Sequence, residues 1–409
     1  MQINKQFTKT LAKNLFAFLV MSLPIAACAP KEPVLQTGIW RGVLLTQDST
    51  EIPFNFEVKI TEGDTLIDII TGDSRFEVKD ITKKGDSLFI NMPLFSSRFA
   101  VALVEEGMTG SFIKSSYKMP FLAYPNQPYR IAAGQQKPTT SAAGRWLVKL
   151  AENEIIGEFE ETNGKVTGSF LTPSGDYRFF EGIVTTENKL IMSCFDGGFV
   201  RLFSADMVSN DSLANVKMHS GFSSIEEGSA VRKEDATLPD AYAVTGLKKG
   251  YKTLGFSFPN MEGKAVSLKD EKFKNKVVVV QISGSWCPNC FDESRFLVEM
   301  YQKYQPNLEV VCLAFERSDD FETAKGEVSK LMAVAKIPYE ILVTGYTPPK
   351  VKDALPELNN FKAFPTTLII DKKGVVKKIH SGFSGPGTGV FYKEFVAEFS
   401  AQIEGLIVE

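Results

Sequence analysis

Two cysteines separated by two residues form the part of the sequence whose chemistry is most specific. They lie in the segment Trp286-Cys287-Pro288-Asn289-Cys290. Thiols at this spacing, between a strand and a helix, are typical of sites that alternate between a dithiol and a disulfide. The partial positive charge at a helix N-terminus lowers the pKa of a thiol and favours its thiolate. We therefore expect Cys287 to be the nucleophile and Cys290 to close on it as a disulfide.

The flanking sequence predicts the strand and the helix that would hold these cysteines. An apolar run at residues 276–283 indicates a buried strand before the motif. After the motif, apolar and aromatic residues would lie on one side of a helix: Phe291, Phe296, Leu297, Met300, Tyr301 and Tyr304. A buried strand, a loop with two cysteines and a helix thus follow one another, and in this context the motif indicates redox chemistry.

Structural zinc and simple packing are the alternative interpretations of the cysteine pair. A structural zinc site needs four ligands, usually including a second pair of cysteines or histidines. The chain has two histidines, His219 and His380, and they form no such pair. We therefore predict no metal and no bound cofactor, since the dithiol itself is the redox-active group. Cys194 and Cys312 lie in apolar stretches and are expected to be buried packing thiols.

The overall composition is that of a globular protein with several domains. The chain has 409 residues, which predicts two or three domains, and a hydrophobic content of 44%, which is enough to form cores. A net charge of −3 argues against a nucleic-acid partner.

The first 28 residues have the features of an export signal. Lys5, Lys9 and Lys13 form a basic start, and residues 15–23 form a short apolar run. This run is too short to cross a bilayer as a helix. We therefore predict that residues 1–28 form an export signal peptide.

The end of this signal resembles a bacterial lipobox, Ile25-Ala26-Ala27-Cys28. Cys28 would then receive the lipid and become the first residue of a lipoprotein, followed by a short tether at residues 29–37. The alternative is ordinary cleavage at the small residues 27–29. Several acyl chains would anchor the protein stably. We expect a location in the cell envelope, on the periplasmic side of the inner or the outer membrane, where disulfides persist.

Residues 38–221 are predicted to be all β. Apolar residues alternate with polar ones in several short runs, at Phe54, Phe56, Val58 and Ile60, at Phe76 and Val78, and at Leu88, Ile90 and Met92. Turn signals separate the runs. Three pairs of segments resemble each other: 38–40 and 144–146, 71–76 and 173–179, 85–92 and 187–194. We therefore predict two repeated antiparallel sheet units, 38–116 and 144–221, with linkers at 117–143 and 222–237.

The remainder, residues 238–409, alternates between strand and helix patterns. Strands are predicted at 277–282, 308–315, 339–343, 368–370 and 375–379, and helices after the cysteine motif, at 321–336 and at 390–406. The order is βαβαβ, then a hairpin and a helix. It predicts an α/β sandwich around a mixed sheet.

These residues resemble the thioredoxin superfamily, and within it the TlpA/ResA-type exported thiol–disulfide oxidoreductases. The resemblance covers about residues 238–409 and rests on the Cys-x-x-Cys motif, the Pro365 segment, the strand and helix between them, and the lipoprotein signal. It implies that Pro365 is a cis-proline facing the disulfide and leaves the Phe364 backbone free for an extended substrate. It further implies that Trp286, Pro288 and Thr366 contact the substrate.

Glu293 lies three residues after Cys290, where TlpA/ResA-like proteins carry a glutamate. The resemblance implies that it moves a proton to or from Cys290. The alternative is a first-turn glutamate favoured by the helix dipole. Gln281 departs from the thioredoxin pattern, because thioredoxin has a buried acid there. The dipeptide Pro288-Asn289 also departs from it, which leaves the reduction potential open.

The resemblance implies an enzyme, a protein-disulfide reductase that acts on disulfide-containing exported proteins and receives electrons from a membrane donor. One alternative is a peroxiredoxin-like thiol peroxidase, but Gly284 and Val280 replace the threonine and proline that such enzymes carry. The other is a cell-envelope binding protein in which the thioredoxin-like part is a scaffold.

Overall fold

The computed structural model describes residues 34–72, 74–114, 117–132 and 138–409. Two nine-stranded antiparallel sheets come first, and a mixed α/β domain follows them. The predicted signal peptide and the lipidation site at Cys28 lie outside the described residues.

The first sheet curls until its two edges meet. Its strands are β1 Gly38–Leu45, β2 Glu51–Thr61, β3 Asp64–Thr71, β4 Ser74–Val78, β5 Asp80–Lys84, β6 Ser87–Asn91, β7 Ser97–Val104, β8 Gly107–Lys114 and β9 Tyr117–Pro125. The edge strands β4 and β5 follow each other in the chain with only Lys79 between them. The sheet is therefore barrel-like. Aromatic side chains such as Phe54, Phe99 and Phe112 fill its interior.

The second sheet closes on itself. Its strands are β10 Gly144–Leu150, β11 Asn153–Thr162, β12 Lys165–Thr172, β13 Gly175–Asp176, β14 Phe180–Val184, β15 Lys189–Phe195, β16 Val200–Ser209, β17 Ser212–Ser220 and β18 Ser224–Arg232. β10 pairs with both β11 and β18, and β11 also pairs with β12, which completes the ring. The sequence repeat is thus a repeat of the fold. Trp40 and Trp146 show this at the level of side chains, since each donates its indole N–H to the carbonyl four residues before it.

The predicted linkers are too long, because each contains a strand. β9 lies in the first one, where the buried residues Met119, Phe121 and Ala123 alternate with residues that are partly or fully exposed. β18 occupies most of the second one and pairs with β10 and β17. Its sequence resembles a linker because it buries almost nothing except Ala230. Backbone hydrogen bonds to its two neighbours, rather than apolar burial, hold it in the sheet.

The two sheets, together called the β region (residues 38–232), pack directly on each other. Phe195 of β15 enters the core of the first sheet, with its ring centroid 4.1 Å from that of Phe54. Arg130, in the connection between the sheets, donates to the carbonyls of Ile70 and Ser193, one in each sheet. The β region therefore behaves as one packed body.

The α/β domain has the predicted order of elements. Its main elements are β22 Val277–Ser283, α1 Pro288–Tyr304, β23 Leu308–Ala314, α2 Phe321–Ala335, β24 Glu340–Val343, β26 Thr366–Ile370, β27 Val376–Ser381 and α4 Val390–Val408. Three short strands precede β22: β19 Gly246–Leu247, β20 Ser257–Pro259 and β21 Ala265–Ser267. Two short elements lie between β24 and β26: α3 Val351–Ala354 and β25 Leu358–Asn359. The strand order is β24-β23-β22-β26-β27, with β22, β23 and β24 parallel.

Both faces of this sheet are covered, which explains why β22 is buried along its whole length and begins with four valines. Val277 and Val279 face the three long helices, and Val278 and Val280 face the opposite layer. No helix within the described residues is both long enough and apolar enough to cross a membrane.

Candidate redox site

The cysteine pair lies at the junction of β22 and α1. Cys287 caps the N-terminus of α1: the backbone N–H of Cys290 donates to Cys287 Sγ over 3.2 Å. Pro288 occupies the first helical position, where its missing N–H costs no hydrogen bond. The two cysteines form a disulfide with their Cα atoms 5.2 Å apart. The helix therefore directs its positive end at the sulfur of Cys287.

The two cysteines differ in accessibility. Cys287 retains 6% of its surface, whereas Cys290 is completely buried. A substrate sulfur can therefore reach Cys287 but not Cys290, which agrees with the assignment of Cys287 as the attacking thiol. Cys194 and Cys312 are buried in two separate cores, as expected from the sequence, and burial raises the pKa of both thiols.

The loop before β26 lies against the disulfide. The Phe364–Pro365 bond is cis, as expected from the sequence. Cys287 Sγ lies 3.7 Å from the carbonyl oxygen of Phe364. The Phe364 ring meets the edge of the Trp286 ring at 5.2 Å, and the Trp286 indole donates to the carbonyl of Phe315. Trp286, Phe364 and Pro365 are thus brought together beside the accessible sulfur.

Two residues predicted to contact the substrate are buried instead. Thr366 is fully buried and donates its hydroxyl to the carbonyl of Ala363. Pro288 is buried under Gly198 of the β region, so closely that a Cβ atom on Gly198 would lie 2.5 Å from the proline ring. A substrate cannot touch either side chain in this arrangement. Thr366 is buried within the sheet, and the β region covers Pro288.

Glu293 lies beneath the cysteines and is 1% exposed. Its carboxylate accepts hydrogen bonds from the Gln281 amide and from the Thr367 hydroxyl, both at 2.8 Å. Burial nevertheless raises its pKa to about 7. The first turn of α1 contains no acidic residue, so the helix-dipole interpretation of Glu293 is wrong. Gln281 also donates to the carbonyl of Cys290, which connects Glu293 to the cysteine pair through one amide.

We predict that the stability of the protein falls as the pH rises from 5 to 8. Burial raises the pKa of Glu293 to about 7 in the folded chain, against an ordinary value of 4.5 for a glutamate. The folded state therefore holds a proton that the unfolded state releases, and this contribution to stability is lost as the pH rises through 7. The loss is roughly 2–3 kcal/mol. Urea unfolding at pH 5 and pH 8 measures it, and Glu293→Gln should lose less stability over this range than the wild type. Equal losses in both proteins would contradict the prediction.

A second buried carboxylate positions the loop that precedes the motif. Glu316 accepts hydrogen bonds from the backbone N–H and the hydroxyl of Ser285, at 2.8 and 2.7 Å. Burial raises the pKa of Glu316. Its position two residues after the end of β23 is the only indication in the sequence, since parallel strands end at the same edge of a sheet.

The β region covers one side of the redox motif through a charged contact. Arg178 donates to both carboxylate oxygens of Asp292 on α1, at 2.8 and 2.7 Å, and to Asp196 at 2.5 Å. These three side chains are at most 13% exposed. The paired carboxylates raise the pKa of the Arg178 guanidinium even though burial acts in the opposite direction. The contact therefore neutralises buried charges from both parts of the chain.

A second contact reaches the dipeptide between the cysteines. The side-chain amide of Asn289 donates to the carbonyl of Asp176 at 2.8 Å, and to Asp176 Oδ1 and the carbonyl of Phe383 at 3.2 Å. Nearby, a Cβ atom on Gly382 would lie only 2.6 Å from the backbone of Ser174. The loop around β13 thus closely covers Asn289 and the segment after β27.

The sequence analysis did not identify Asp176, Arg178 or Asp292 as part of the site. A signal was present, because Gly-Asp-x-Arg-Phe occurs at residues 72–76 and again at 175–179. Both copies lie against the α/β domain: the ring of Phe76 meets the edge of Phe291, and Arg178 pairs with Asp292. On the sequence alone, the repeat indicates only a duplication of the β unit.

A cleft of about 1370 Å³ separates the first sheet from α1 and α2. Phe76 and Met92 line it on one side, and Phe291, Val298 and Val334 on the other. Neither cysteine lines this cleft. The disulfide is therefore reached from the surface beside Phe364 rather than through this cavity.

Comparison with known proteins gives consistent results for the C-terminal part of the chain. Residues 250–379 match the AhpC/TSA family. The chain is 27% identical over 137 residues to the thioredoxin-like protein YneN of Bacillus subtilis, a match that covers 34% of this chain and 74% of YneN. It is 34% identical over 74 residues to the thiol-disulfide oxidoreductase ResA of Bacillus thuringiensis, which covers 18% of this chain and 42% of ResA.

Among solved structures, the thioredoxin domain of a thiol-disulfide oxidoreductase from Bacteroides vulgatus is similar, with 21% identity and a TM-score of 0.28, over 37% of this chain and 99% of that one. The family match spans β22, α1 and the Pro365 segment, and thus contains the redox site. Residues 250–379 therefore form a thioredoxin-like domain that matches the AhpC/TSA family, and this part of the chain is similar to YneN and ResA.

Proposed function

We propose that the protein reduces disulfide bonds in exported proteins through the Cys287–Cys290 dithiol. The observation that carries this proposal is the placement of Cys287 at the positive end of α1, where it is the more exposed of the two cysteines and its sulfur lies 3.7 Å from the Phe364 carbonyl oxygen. The similarity to the enzyme named ResA supports the same chemistry. The position of Cys287 beside the partly exposed Trp286 and Phe364 suits a protein substrate, which can present an extended segment to it.

The reaction consists of two exchange steps. The Cys287 thiolate attacks one sulfur of the substrate disulfide, and the displaced substrate sulfur leaves as a thiolate and takes up a proton. Cys290 then loses its proton and attacks Cys287 Sγ, which releases the second substrate thiolate and leaves the Cys287–Cys290 disulfide. Two electrons pass from the protein to the substrate. A dithiol partner in the membrane must return two electrons and two protons.

Glu293 would accept the proton of Cys290 in the second step. Its carboxyl, with a pKa of about 7, exists in both protonation states near neutral pH, as general acid–base catalysis requires. We expect Glu293→Gln to slow resolution of the mixed disulfide roughly 100-fold, since such groups contribute 10²–10⁴-fold. Stopped-flow measurement of both exchange steps tests this, because attack by Cys287 should change much less. Equal slowing of both steps would contradict the role.

The direction of electron flow is tested by the reduction potential of the Cys287–Cys290 pair in the full chain. Thiol trapping in graded dithiothreitol buffers measures it. A value near or below that of thioredoxin, about −270 mV, fits a reductase. A value near −120 mV would mean that the protein introduces disulfides, and the proposed direction would be wrong. Failure to form any reversible disulfide would overturn the redox function and favour a binding protein.

The peroxidase alternative conflicts with the geometry before the motif. It requires a threonine at position 284, and a Cβ atom on Gly284 would lie 2.3 Å from Trp286 Nε1 and 2.9 Å from the carbonyl of Phe315. A threonine would have to displace the indole that packs on Phe364. Peroxide consumption by the reduced protein should therefore stay at the background rate of a free thiol.

We also propose that a lipid on Cys28 anchors the protein to the periplasmic side of a membrane. The lipobox-like segment 25–28 carries this proposal. Changing Cys28 to alanine should move the protein from the membrane to the soluble fraction of the producing cells. Fractionation followed by immunoblotting measures this, and a variant that stays with the membrane would contradict the lipid anchor.

A further inference from the structure

The β region touches the redox motif at a residue that lies between the two cysteines. Asn289 is only 6% exposed, and all three of its hydrogen bonds involve its side-chain NH₂ group. Two of them are to Asp176, which lies 113 residues earlier in the chain. The third is to Phe383, in the segment after β27. The dipeptide is therefore held jointly by the β region and by its own domain.

Asp176 is itself held from several sides. Its backbone N–H donates to the same Phe383 carbonyl at 3.2 Å, and its Oδ2 accepts from the Ser169 hydroxyl at 3.3 Å. It is 2% exposed. The charged groups that act on it are Arg178 and Asp292, and Arg178 also binds Asp196. Because Asp176 is buried and hydrogen-bonded on several sides, it can hold the side chain of Asn289 in a fixed position.

The fixed position of Asn289 bears on the sulfur chemistry. Cys290 follows it directly, and the Cys290 N–H donates to Cys287 Sγ. An anchored Asn289 thus holds the peptide unit that directs this N–H. We infer that Asp176 is a positioning residue of the redox site, which acts through Asn289 and shifts the dithiol–disulfide equilibrium toward the disulfide. This inference rests on the proposed redox function.

Two effects act in the same direction. The hydrogen bond from the Asn289 amide to Asp176 Oδ1 is present in the disulfide form, and this side-chain contact, rather than the one to the Asp176 backbone carbonyl, is the one that a substitution removes. It stabilises the disulfide form to the extent that reduction moves Asn289. In addition, an ionised Asp176 carboxylate near the N-terminus of α1 opposes a thiolate at Cys287, since like charges repel. Burial and the neighbouring Asp292 raise the pKa of Asp176 to about 7, so its charge is mostly present at pH 8.

The test measures the ratio of disulfide to dithiol in full-length variants at pH 8, by thiol trapping in dithiothreitol buffers. We expect Asp176→Ala to lower this ratio about tenfold, which corresponds to about 30 mV. Asp176→Asn should lower it less, because the amide oxygen can still accept from Asn289. Ser169→Ala is the matched control, since it removes a partner of Asp176 without touching the motif, and it should stay within twofold of the wild type.

A second set of measurements decides whether Asp176 acts through Asn289. In an Asn289→Ala background, the alanine and asparagine variants at position 176 should give equal ratios, because only the charge effect is left. A disulfide-to-dithiol ratio within twofold of the wild type in Asp176→Ala would overturn the inference. A difference between Asp176→Ala and Asp176→Asn that persists in the Asn289→Ala background would overturn it as well.

Folding of each variant is checked by its thermal transition. If Asp176→Ala does not fold, Asp176→Ser replaces it, because the serine hydroxyl keeps a polar group but is too short to reach Asn289. A wild-type protein that forms no reversible disulfide would refute the proposed function itself. A reversible disulfide that does not respond to changes at position 176 would refute only this inference.

Discussion

Replacing Cys287 with serine is expected to abolish the reduction of protein disulfides by the full chain. Cys287 is the accessible sulfur of the pair, and a serine hydroxyl at this position is not ionised near neutral pH. The rate should fall by about 10³-fold or more, as expected when a catalytic nucleophile is removed. Insulin reduction in the presence of dithiothreitol, followed by turbidity, measures this loss. Substantial activity in Cys287→Ser would refute the exchange mechanism.

Two companion variants show which step each cysteine performs. Cys290→Ser keeps the attacking thiol but cannot resolve the mixed disulfide, so it should accumulate a covalent complex with the substrate that a reducing gel dissolves. Cys312→Ala is the matched control, because its sulfur is buried in the core of the α/β domain. It should reduce insulin within twofold of the wild-type rate. A similar loss in Cys312→Ala would show that the assay reports damage to the fold.

The elements of the α/β domain could be predicted because each depends on a local pattern. The apolar run of β22 has to be buried on both faces, and the aromatic side of α1 has to lie on that sheet. The order of strands and helices then leaves few arrangements. The β region was harder to predict at its strand boundaries. β18 buries only one residue, and it forms a strand because it pairs with the edges of β10 and β17. The local sequence of β18 gives no indication of this pairing.

The same distinction applies to the site. Cys287 and Cys290 are marked by their spacing and by the adjacent strand and helix, whereas Glu293 and Pro365 are marked by the resemblance to TlpA/ResA-type oxidoreductases. The burial of Pro288 under Gly198 depends on a contact between residues 90 positions apart, and spacing along the chain cannot predict it. The repeated Gly-Asp-x-Arg-Phe segment did mark the residues that reach the site. The second copy of this segment contains Arg178. The neighbouring sequence does not show that Arg178 pairs with a residue of α1.

The contacts of the β region limit how a substrate can approach. One side of the motif is covered at Pro288 and Asn289, and the side with Trp286 and Phe364 remains partly exposed. An extended segment that lies along the Phe364 backbone can reach Cys287 from that side. A substrate disulfide buried in a compact domain cannot. We therefore expect substrates that are unfolded or that expose their disulfide in a flexible segment.

Changing Arg178 to methionine is expected to cause the largest loss of stability among single changes at the interface between the β region and the α/β domain. Methionine retains much of the packing but leaves the carboxylates of Asp292 and Asp196 without their shared cation. Both are nearly buried, at 13% and 3% exposure. Removing one partner of a buried ion pair costs about 3–5 kcal/mol, because the desolvated charge is no longer compensated.

Urea unfolding followed by circular dichroism measures this loss, and two further variants show its cause. Lys149→Met breaks an ion pair with Glu154 in which both side chains are more than half exposed, so it should change stability by less than about 1 kcal/mol. Arg178→Met combined with Asp292→Leu removes the charge on α1 as well, and it should recover part of the loss. If the double variant is no more stable than Arg178→Met, uncompensated charge at Asp292 is not the cause. The guanidinium would then stabilise the protein mainly through its ion pair with Asp196. That pair lies within the β region and does not connect the β region to α1.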